Sequence, residues 1–403
     1  MVLLNEIIPN GFSGLTASRD IVYFHADDAF AKGCQSHLNG NLSQASAFYR
    51  QVTQSSTTKY ISYGNLAAIE FARCNYSKCL QLLLLSHQDS EPNYGSHLIS
   101  SLSFRLGYYV EGFRYFEYRW LNSFIPRINQ YLLVSDYFNP CEPSDTLLVQ
   151  EGGLGDIVFA SRLKHIFNST FPTFFLCDSK CCSLMKVLEP SVQSISTTNL
   201  AYTSALFKSW IPIQSFMRVA DYPFSRVNTS YSPSFSTNFF PQGQPLDIGL
   251  FWQGNEVTEL FMIPGSRSIP LQCFAPLFRV DNFRLHSLQV GSGTEQISDN
   301  ANLKFHFCIH HYPELVSNFE SLAAYLKDLD AVITTDSFIA NFAGWLGIKC
   351  MVIVSKYCDW RWVHRSKNHF SYWYPSVKIL EWQSQLNSIY LNKCILEFLH
   401  ANL

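Results

Sequence analysis

A glycine-rich turn that ends in an aspartate stands at the start of a predicted helix. The turn comprises residues 151–156 (EGGLGD), and the helix follows over 157–166. Gly152, Gly153 and Gly155 let the backbone approach a ligand closely, and the amide-rich start of a helix attracts anions. Asp156 can accept the proton of an acceptor hydroxyl as a general base, or it can cap the helix. The residues alone leave both interpretations open.

Two further segments place polar side chains after predicted strands. Residues 252–255 (WQGN) end one strand, and Arg267 follows before the next helical segment. Its planar guanidinium suits phosphate oxygens, although a surface salt bridge is an equally good interpretation. Gln289 and Gly291 end another strand in the segment SLQVG. A strand end of this kind is a weak signal for a ligand contact.

A second helix start carries an aspartate and a serine. Asp336 and Ser337 lie between the apolar strand AVITT and the helix 337–346, which Gly347 closes. The positive end of that helix would point toward the mouth of the sheet, where it can bind a diphosphate without a metal ion. Asp336 and Ser337 can either cap the helix or contact such a ligand.

These segments require two α/β sheets to position them. Apolar strands alternate with glycine turns and helices, as in parallel sheets, and the predicted strands are 146–150, 173–177, 248–252, 284–289, 331–335 and 350–354. The stretch 222–245 is rich in Ser, Pro, Asn and Gly and predicts a linker. Two such units leave a cleft between the carboxyl ends of their strands, where ligands bind.

The amino-terminal part is predicted to be helical. Between about 25 and 120, small and apolar residues recur at helical spacing, and Gly40, Asn75 and Gly107 stand between helical stretches. Their spacing is close to the 34-residue period of tetratricopeptide repeats. Gly and Asn suit tight turns because both tolerate left-handed backbone angles. An unrelated helical bundle is the alternative.

Composition narrows the function classes. Of 403 residues only 15 % are charged and the net charge is −2, which argues against electrostatic binding to nucleic acid or an acidic membrane. The twelve cysteines lack paired CxxC spacing, and their tightest cluster is Cys177, Cys181 and Cys182. We expect ordinary buried thiols in a reducing cytoplasm. The amino terminus is not typical of a signal peptide, and the longest apolar run, 80–85, is too short to span a bilayer.

Taken in order, the segments resemble bacterial proteins that join tetratricopeptide repeats to a heptosyltransferase-like glycosyltransferase domain of the GT-B fold. The resemblance covers about residues 30 to 385. Beyond the site segments it includes a terminal repeat motif and a carboxyl-terminal aromatic motif, in the stretches 106–107 (LG), 112–113 (GF), 118–120 (YRW), 359–362 (DWRW) and 372–375 (YWYP).

The resemblance implies roles for the site residues. Asp156 would be the catalytic base on the acceptor side, Arg267 would face the donor phosphates, and Asp336 and Ser337 would bind the donor nucleotide. Gln289, Gly291 and Asn341 complete the predicted donor site. Gly152, Gly153 and Gly155 form the glycine-rich loop on the acceptor side.

Two departures from the family pattern concern charge. Asn341 stands where the family usually has a His, and an Asn cannot become cationic. The segment 256–266, where the family commonly has a basic stretch, contains no Lys, Arg or His. The aromatic cluster 360–374 is either core or, in a functional interpretation, a carboxyl-terminal lid or a base-stacking wall. His364, Arg365 and Lys367 can supply replacement charge.

We therefore predict tetratricopeptide-like helical repeats over 1–138, an acceptor-side Rossmann-like half over 139–243 and a nucleotide-sugar half over 244–403. The predicted fold is α/β of GT-B type, with two halves facing a cleft. The predicted function is inverting, metal-independent transfer of a sugar from a nucleotide-sugar to a glycan, lipid-linked or protein acceptor. The alternatives are a catalytically degenerate binding protein and an adaptor whose repeats bind a protein partner. We expect no cofactor, no metal, no nucleic-acid partner and a cytoplasmic location, free or at the inner membrane face.

Overall fold

The computed structural model describes most of the chain between residues 28 and 400. The described residues are 28–53, 58–87, 95–118, 146–166, 172–196, 207, 209–215, 244–255, 267–299, 309–316, 318–356, 358–363, 367–382 and 388–400. They divide into two compact units, one with the amino-terminal helices and one with both sheets. The predicted domain limits at 138 and 243 fall outside the described residues and stay predictions.

The amino-terminal unit is all-helical, and its helices pack in consecutive pairs. In chain order they are α1 (Asp28–Leu38), α2 (Leu42–Val52), α3 (Lys59–Ala72), α4 (Tyr76–Ser86), α5 (Gly95–Arg105) and α6 (Tyr109–Phe116). Small residues occupy equivalent buried positions in the second helix of each pair, namely Ala45, Cys79 and Gly112. The predicted helical segment is therefore confirmed.

The turn within each pair repeats one backbone geometry. The left-handed residues are Gly40, Cys74 and Gly107, 34 and 33 residues apart. In every turn the next backbone N–H donates to the carbonyl five residues earlier at 2.8 Å. Asn75, predicted as the left-handed residue, lies one position after it, and Cys74 takes that conformation instead. The repeat of helix pairs is thus established, while its assignment to the tetratricopeptide class stays a prediction.

The first sheet of the second unit is parallel and has four strands. Its strands are β1 (Thr146–Val149), β2 (Phe174–Cys177), β3 (Gln193–Ser196) and β4 (Ser209–Pro212), in the order β3-β2-β1-β4. Helices α7 (Leu154–Ile166) and α8 (Ser179–Leu188) connect the first three strands. All four residues of β1 are buried, as expected of a central strand in a parallel sheet.

The second sheet is parallel and has six strands. They are β5 (Leu246–Phe251), β6 (Phe283–Ser287), β7 (Ile309–His311), β8 (Ala331–Thr335), β9 (Cys350–Val354) and β10 (Val377–Glu381), in the order β10-β9-β8-β5-β6-β7. The described helices of this half are α9 (Glu295–Asp299), α10 (Pro313–Val316), α11 (Phe319–Asp328), α12 (Phe338–Leu346) and α13 (Ser388–His400), with 3-10 segments at 271–279, 291–294 and 360–362.

Both strand orders follow the doubly wound pattern. In each sheet the first strand of the half lies beside the fourth and parallel to it, so the direction in which strands are added reverses between β1 and β4 and between β5 and β8. Ligands in such folds bind at this reversal, outside the carboxyl ends of the strands. The predicted architecture is confirmed: paired helices are followed by two parallel α/β sheets, as in the GT-B class.

A hydrophobic core of the described residues lies in the six-stranded half. Trp252 and Phe274 are fully buried there against β5, β8 and α13. No helix in the described part of the chain has both the length and the apolar content needed to cross a bilayer. The ten cysteines that the structure describes are free thiols, and six of them are buried.

Candidate functional site

Three of the four predicted site segments follow strands that flank the two reversal points. The turn 151–156 follows β1, residues 252–255 follow β5, and Asp336 follows β8. The first turn of α7 approaches the first turn of α12 closely, because a Cβ added at Gly155 would lie 3.2 Å from Nδ2 of Asn341. The two halves of the predicted site therefore meet.

The glycine turn after β1 is shaped by the side chain of Asp156. Gly152 has a φ of +72°, and a Cβ there would lie 2.6 Å from Oδ2 of Asp156 and 2.4 Å from Nε2 of Gln214. Only glycine fits here, because other residues rarely adopt this left-handed angle and a Cβ atom would clash with both side chains. Gly153 donates its backbone N–H to Oδ2 of Asp156 at 2.7 Å, as in half of a capping box. The capping interpretation of Asp156 is thus realised, and its role as a base stays a prediction.

Asp156 also forms an ion pair. Nη2 of Arg361 lies 3.0 Å from Oδ1 of Asp156, and the side chains are 15 % and 24 % exposed respectively. Asp156 comes from the four-stranded half and Arg361 from the segment after β9 of the six-stranded half. The predicted base is therefore held by a cation from the opposite half.

The start of α12 is tightly enclosed. Ser337 is its N-cap, with Oγ accepting from the N–H of Ala340 at 3.4 Å and lying 2.9 Å from Oγ1 of Thr334. Asp336 and Ser337 are only 6 % and 4 % exposed. Oδ1 of Asp336 accepts a hydrogen bond from Nε1 of Trp362 at 2.8 Å. The capping interpretation holds for Ser337, and the carboxylate of Asp336 points away from solvent.

Arg267 contacts Asp336 at the start of α12. Its Nε donates to the backbone carbonyl of Asp336 at 2.8 Å, and its Nη2 lies 3.7 Å from Oδ1 of Asp336. Its side chain is 23 % exposed. Arg267 therefore joins the segment after β5 to the start of α12, and its side chain stays partly exposed. Whether it faces a phosphate is left as a prediction.

Asn341 is bound on both sides of its amide. Nδ2 donates to the backbone carbonyl of Ser337 at 3.0 Å, and Oδ1 accepts from the hydroxyl of Tyr374 at 3.1 Å. Asn341 is 4 % exposed. Asn341 thus ties α12 to the carboxyl-terminal aromatic motif.

Gln289 and Gly291 lie at the end of β6, on the other side of β5. The side-chain amide of Gln289 forms hydrogen bonds with backbone groups. Its Oε1 accepts from the N–H groups of Trp252 and Gln253, and its Nε2 donates to the carbonyls of Gln253 and Val290. Gly291 is exposed, with a φ of +73°. The role of both residues as donor contacts stays a prediction.

The carboxyl-terminal aromatic cluster is largely core. Trp362, Trp373 and Tyr374 are at most 1 % exposed. Phe159 of α7 packs edge-on against Trp360, Trp373 and Tyr374 with centroid separations of 5.4, 5.3 and 6.3 Å. The core interpretation therefore applies to this cluster. His364 and Arg365, predicted to supply charge, lie outside the described residues, and Lys367 is exposed.

Sequence reasoning assigned no role to Arg361 and Asp359. The two side chains form a bidentate pair, with Nε to Oδ1 at 2.7 Å and Nη2 to Oδ2 at 3.2 Å. Burial opposes both charges, but Arg361 lowers the pKa of Asp359, and Asp359 with Asp156 raises the pKa of Arg361. The sequence does contain a signal for this pair. An acidic and a basic residue stand two positions apart within an aromatic motif, in a chain with few charged residues.

Comparison with solved structures finds similarity to several glycosyltransferases. An ADP-heptose LPS heptosyltransferase II of E. coli is 10 % identical, with 64 % of this chain and 98 % of that chain covered and a TM-score of 0.45. E. coli heptosyltransferase WaaC with ADP is 12 % identical, with coverages of 62 % and 97 % and a TM-score of 0.37.

An O-GlcNAc transferase mutant of Thermobaculum terrenum spans more of the chain. It is 12 % identical, with 82 % of each chain covered and a TM-score of 0.26. No protein-family profile matches the sequence, and no curated protein matches it. The strand orders of the two sheets, β3-β2-β1-β4 and β10-β9-β8-β5-β6-β7, establish the fold independently of these similarities.

Proposed function

We propose that the α/β unit is an inverting glycosyltransferase that moves a sugar from a nucleotide-sugar to a hydroxyl of a glycan, a lipid-linked or a protein acceptor, without a metal ion. The observation that carries the proposal is that two residues of one doubly wound half meet two of the other: Gly155 approaches Asn341, and Asp156 pairs with Arg361. A carboxylate able to take a proton then stands beside a helix start able to bind an anion. Residues 139–243 would bind the acceptor and 244–403 the donor.

The donor side is proposed to be the corner formed by Arg267 and the start of α12. The N–H groups in the first turn of a helix lack intrahelical acceptors and attract anions. Arg267 adds a permanent positive charge that can pair with phosphate oxygens. Together they would stabilise the negative charge that develops on the diphosphate as it leaves.

The acceptor side is proposed to be the glycine turn after β1. In the proposed step the acceptor oxygen attacks the anomeric carbon while the bond from that carbon to the phosphate oxygen breaks. The acceptor proton passes to the carboxylate of Asp156, and the nucleoside diphosphate departs. Attack from the face opposite the leaving group inverts the anomeric configuration.

A second candidate is a degenerate transferase that binds a nucleotide or glycan without turnover. Two features favour it. Asp156, Asp336 and Asp359 outnumber Arg267 and Arg361, so this described cluster carries net negative charge, which would work against the binding of a diphosphate. The near-complete burial of Asp336 and Ser337 also limits access to the helix start.

Calorimetric titration with a panel of nucleoside diphosphates and nucleotide-sugars tests the donor site. We expect one base to bind the full-length protein, and we expect Arg267→Met to weaken that binding by about 10-fold or more, as for loss of a charged hydrogen bond. Arg279→Met is the matched control, because Arg279 ends the 3-10 segment after Pro270 and has no part in the site. Equal binding by both variants would overturn the donor assignment. Binding without turnover by the wild type would favour the degenerate candidate.

A further inference from the structure

We infer that Arg361 is a positioning residue for Asp156 and that Asp359 holds Arg361 in place for this task. The inference rests on the proposed function in one respect, which is that Asp156 acts as the base. It goes further by assigning a role to the aromatic motif DWRW, whose charged members would orient the base from the opposite half of the molecule.

Asp359 and Phe159 hold the guanidinium of Arg361 in place. Asp359 binds it in bidentate fashion and also accepts the backbone N–H of Arg361 at 2.9 Å. The guanidinium carbon lies 5.3 Å from the ring centroid of Phe159, within the range of a cation–π contact. A planar group held by two carboxylate oxygens and a ring has little rotational freedom, so the direction of its remaining N–H groups is set.

Two contacts orient the carboxylate of Asp156. Its Oδ1 is paired with Nη2 of Arg361, and its Oδ2 accepts a hydrogen bond from the backbone N–H of Gly153. Two contacts on different oxygens fix the plane of a carboxylate. Proton transfer requires a base within hydrogen-bond reach of the acceptor, and small errors in placement are costly. Arg361 would therefore act on the reaction through Asp156.

The surroundings of Arg361 differ from those expected of a phosphate-binding arginine. Arg361 contacts Asp156 and Asp359 and also interacts electrostatically with Asp336. Carboxylates thus surround the guanidinium and already neutralise its charge. A diphosphate at the same place would be repelled by those carboxylates. The surroundings of Arg361 favour holding a carboxylate over recruiting an anionic ligand.

The test follows the amide of Gly153 by NMR in the full-length protein labelled with ¹⁵N-glycine. Asp156→Asn identifies the Gly153 signal and shows where it moves when the carboxylate is lost. We expect Arg361→Met and Asp359→Asn to move it in that direction, Arg361→Lys to move it less, and Arg279→Met to leave it in place. A Gly153 signal that stays at the wild-type position in both Arg361→Met and Asp359→Asn, with each variant folded by circular dichroism, would overturn the inference.

Kinetics supply the second readout. With a donor that turns over, Arg361→Met should lower kcat by about 100-fold with donor KM unchanged, and it should cost nothing further in an Asp156→Asn background. A raised donor KM with unchanged kcat would instead make Arg361 a donor ligand and overturn the positioning role. If the wild type shows no turnover but the Gly153 signal moves as expected, the positioning stands and the proposed function falls.

Discussion

The hydroxyl of Tyr374 donates a hydrogen bond to Oδ1 of Asn341 across 3.1 Å, and both residues are buried. The opposite side of the Asn341 amide donates to the carbonyl of Ser337. This pair links the carboxyl-terminal aromatic motif to the first turn of α12. Asn341 therefore stabilises the proposed donor corner through packing and hydrogen bonding, in a position where the resembled family usually has a titratable His.

Removing the Tyr374 hydroxyl should destabilise the α/β unit. Tyr374→Phe leaves Oδ1 of Asn341 buried without its partner, which costs about 1 to 3 kcal/mol. Urea unfolding followed by fluorescence measures the loss. Tyr312→Phe is the control, because Tyr312 is 38 % exposed. A loss no greater in Tyr374→Phe than in the control would contradict the importance of this hydrogen bond.

Acid should weaken the four-stranded half through Glu189. Its carboxylate is buried and accepts from Ser161 at 2.6 Å, with Lys164 and His165 also paired to it. Burial alone would raise the pKa of Glu189, but these partners lower it below its ordinary value. A lowered folded pKa means that the stabilisation is complete above the unfolded pKa, about 4.3, and is lost as the pH falls through the folded value.

The corresponding measurement is the urea midpoint between pH 7 and pH 3. We expect Glu189→Gln to be less stable than the wild type at pH 7 and to lose less stability on acidification. Glu397→Gln serves as the comparison, because Glu397 is 63 % exposed and its ion pair with Lys393 is at the surface. Parallel pH profiles for the wild type and Glu189→Gln would show that Glu189 does not contribute in this way.

Two helical glycines in the amino-terminal unit should respond in opposite directions to alanine. A Cβ at Gly112 would lie 2.4 Å from the ring of Phe104, whereas a Cβ at Gly64 would have open space. We expect Gly112→Ala to destabilise this unit by about 1 to 3 kcal/mol through overpacking. Gly64→Ala should stabilise it by about 0.5 to 1 kcal/mol, since Ala favours the helix. Thermal unfolding of the two variants gives the comparison, and equal midpoints would argue against the packing described.

Much of the fold could be predicted because the central strands are short apolar runs with clear boundaries. Residues 331–335 are all buried and form β8 as expected, and Ser337 caps the following helix. The strand 193–196 was missed because its sequence, QSIS, is mostly polar and half-buried at a sheet edge. Short edge strands carry little pattern for a sequence to reveal.

The site was only partly predictable for a different reason. Asp156, Asp336 and Arg267 follow strands, and parallel strands bring their carboxyl ends to one edge, so their convergence follows from topology. The part played by Arg361 depends on one tertiary contact with Asp156 from the other half. Gln289 shows the converse, because a polar strand end that resembled a ligand contact satisfies the backbone of residues 252 and 253.

The most direct test of the proposed transferase is release of nucleoside diphosphate from a nucleotide-sugar by the wild type and by Asp156→Asn. Asp281→Asn, a change in an exposed turn before β6, is the control. We predict that the wild type and the control release nucleoside diphosphate from at least one donor. Asp156→Asn should bind that donor with unchanged affinity and release its diphosphate at least about 100-fold more slowly. Release by Asp156→Asn at the wild-type rate, or a wild type that neither binds nor cleaves any nucleotide-sugar, would contradict the proposal.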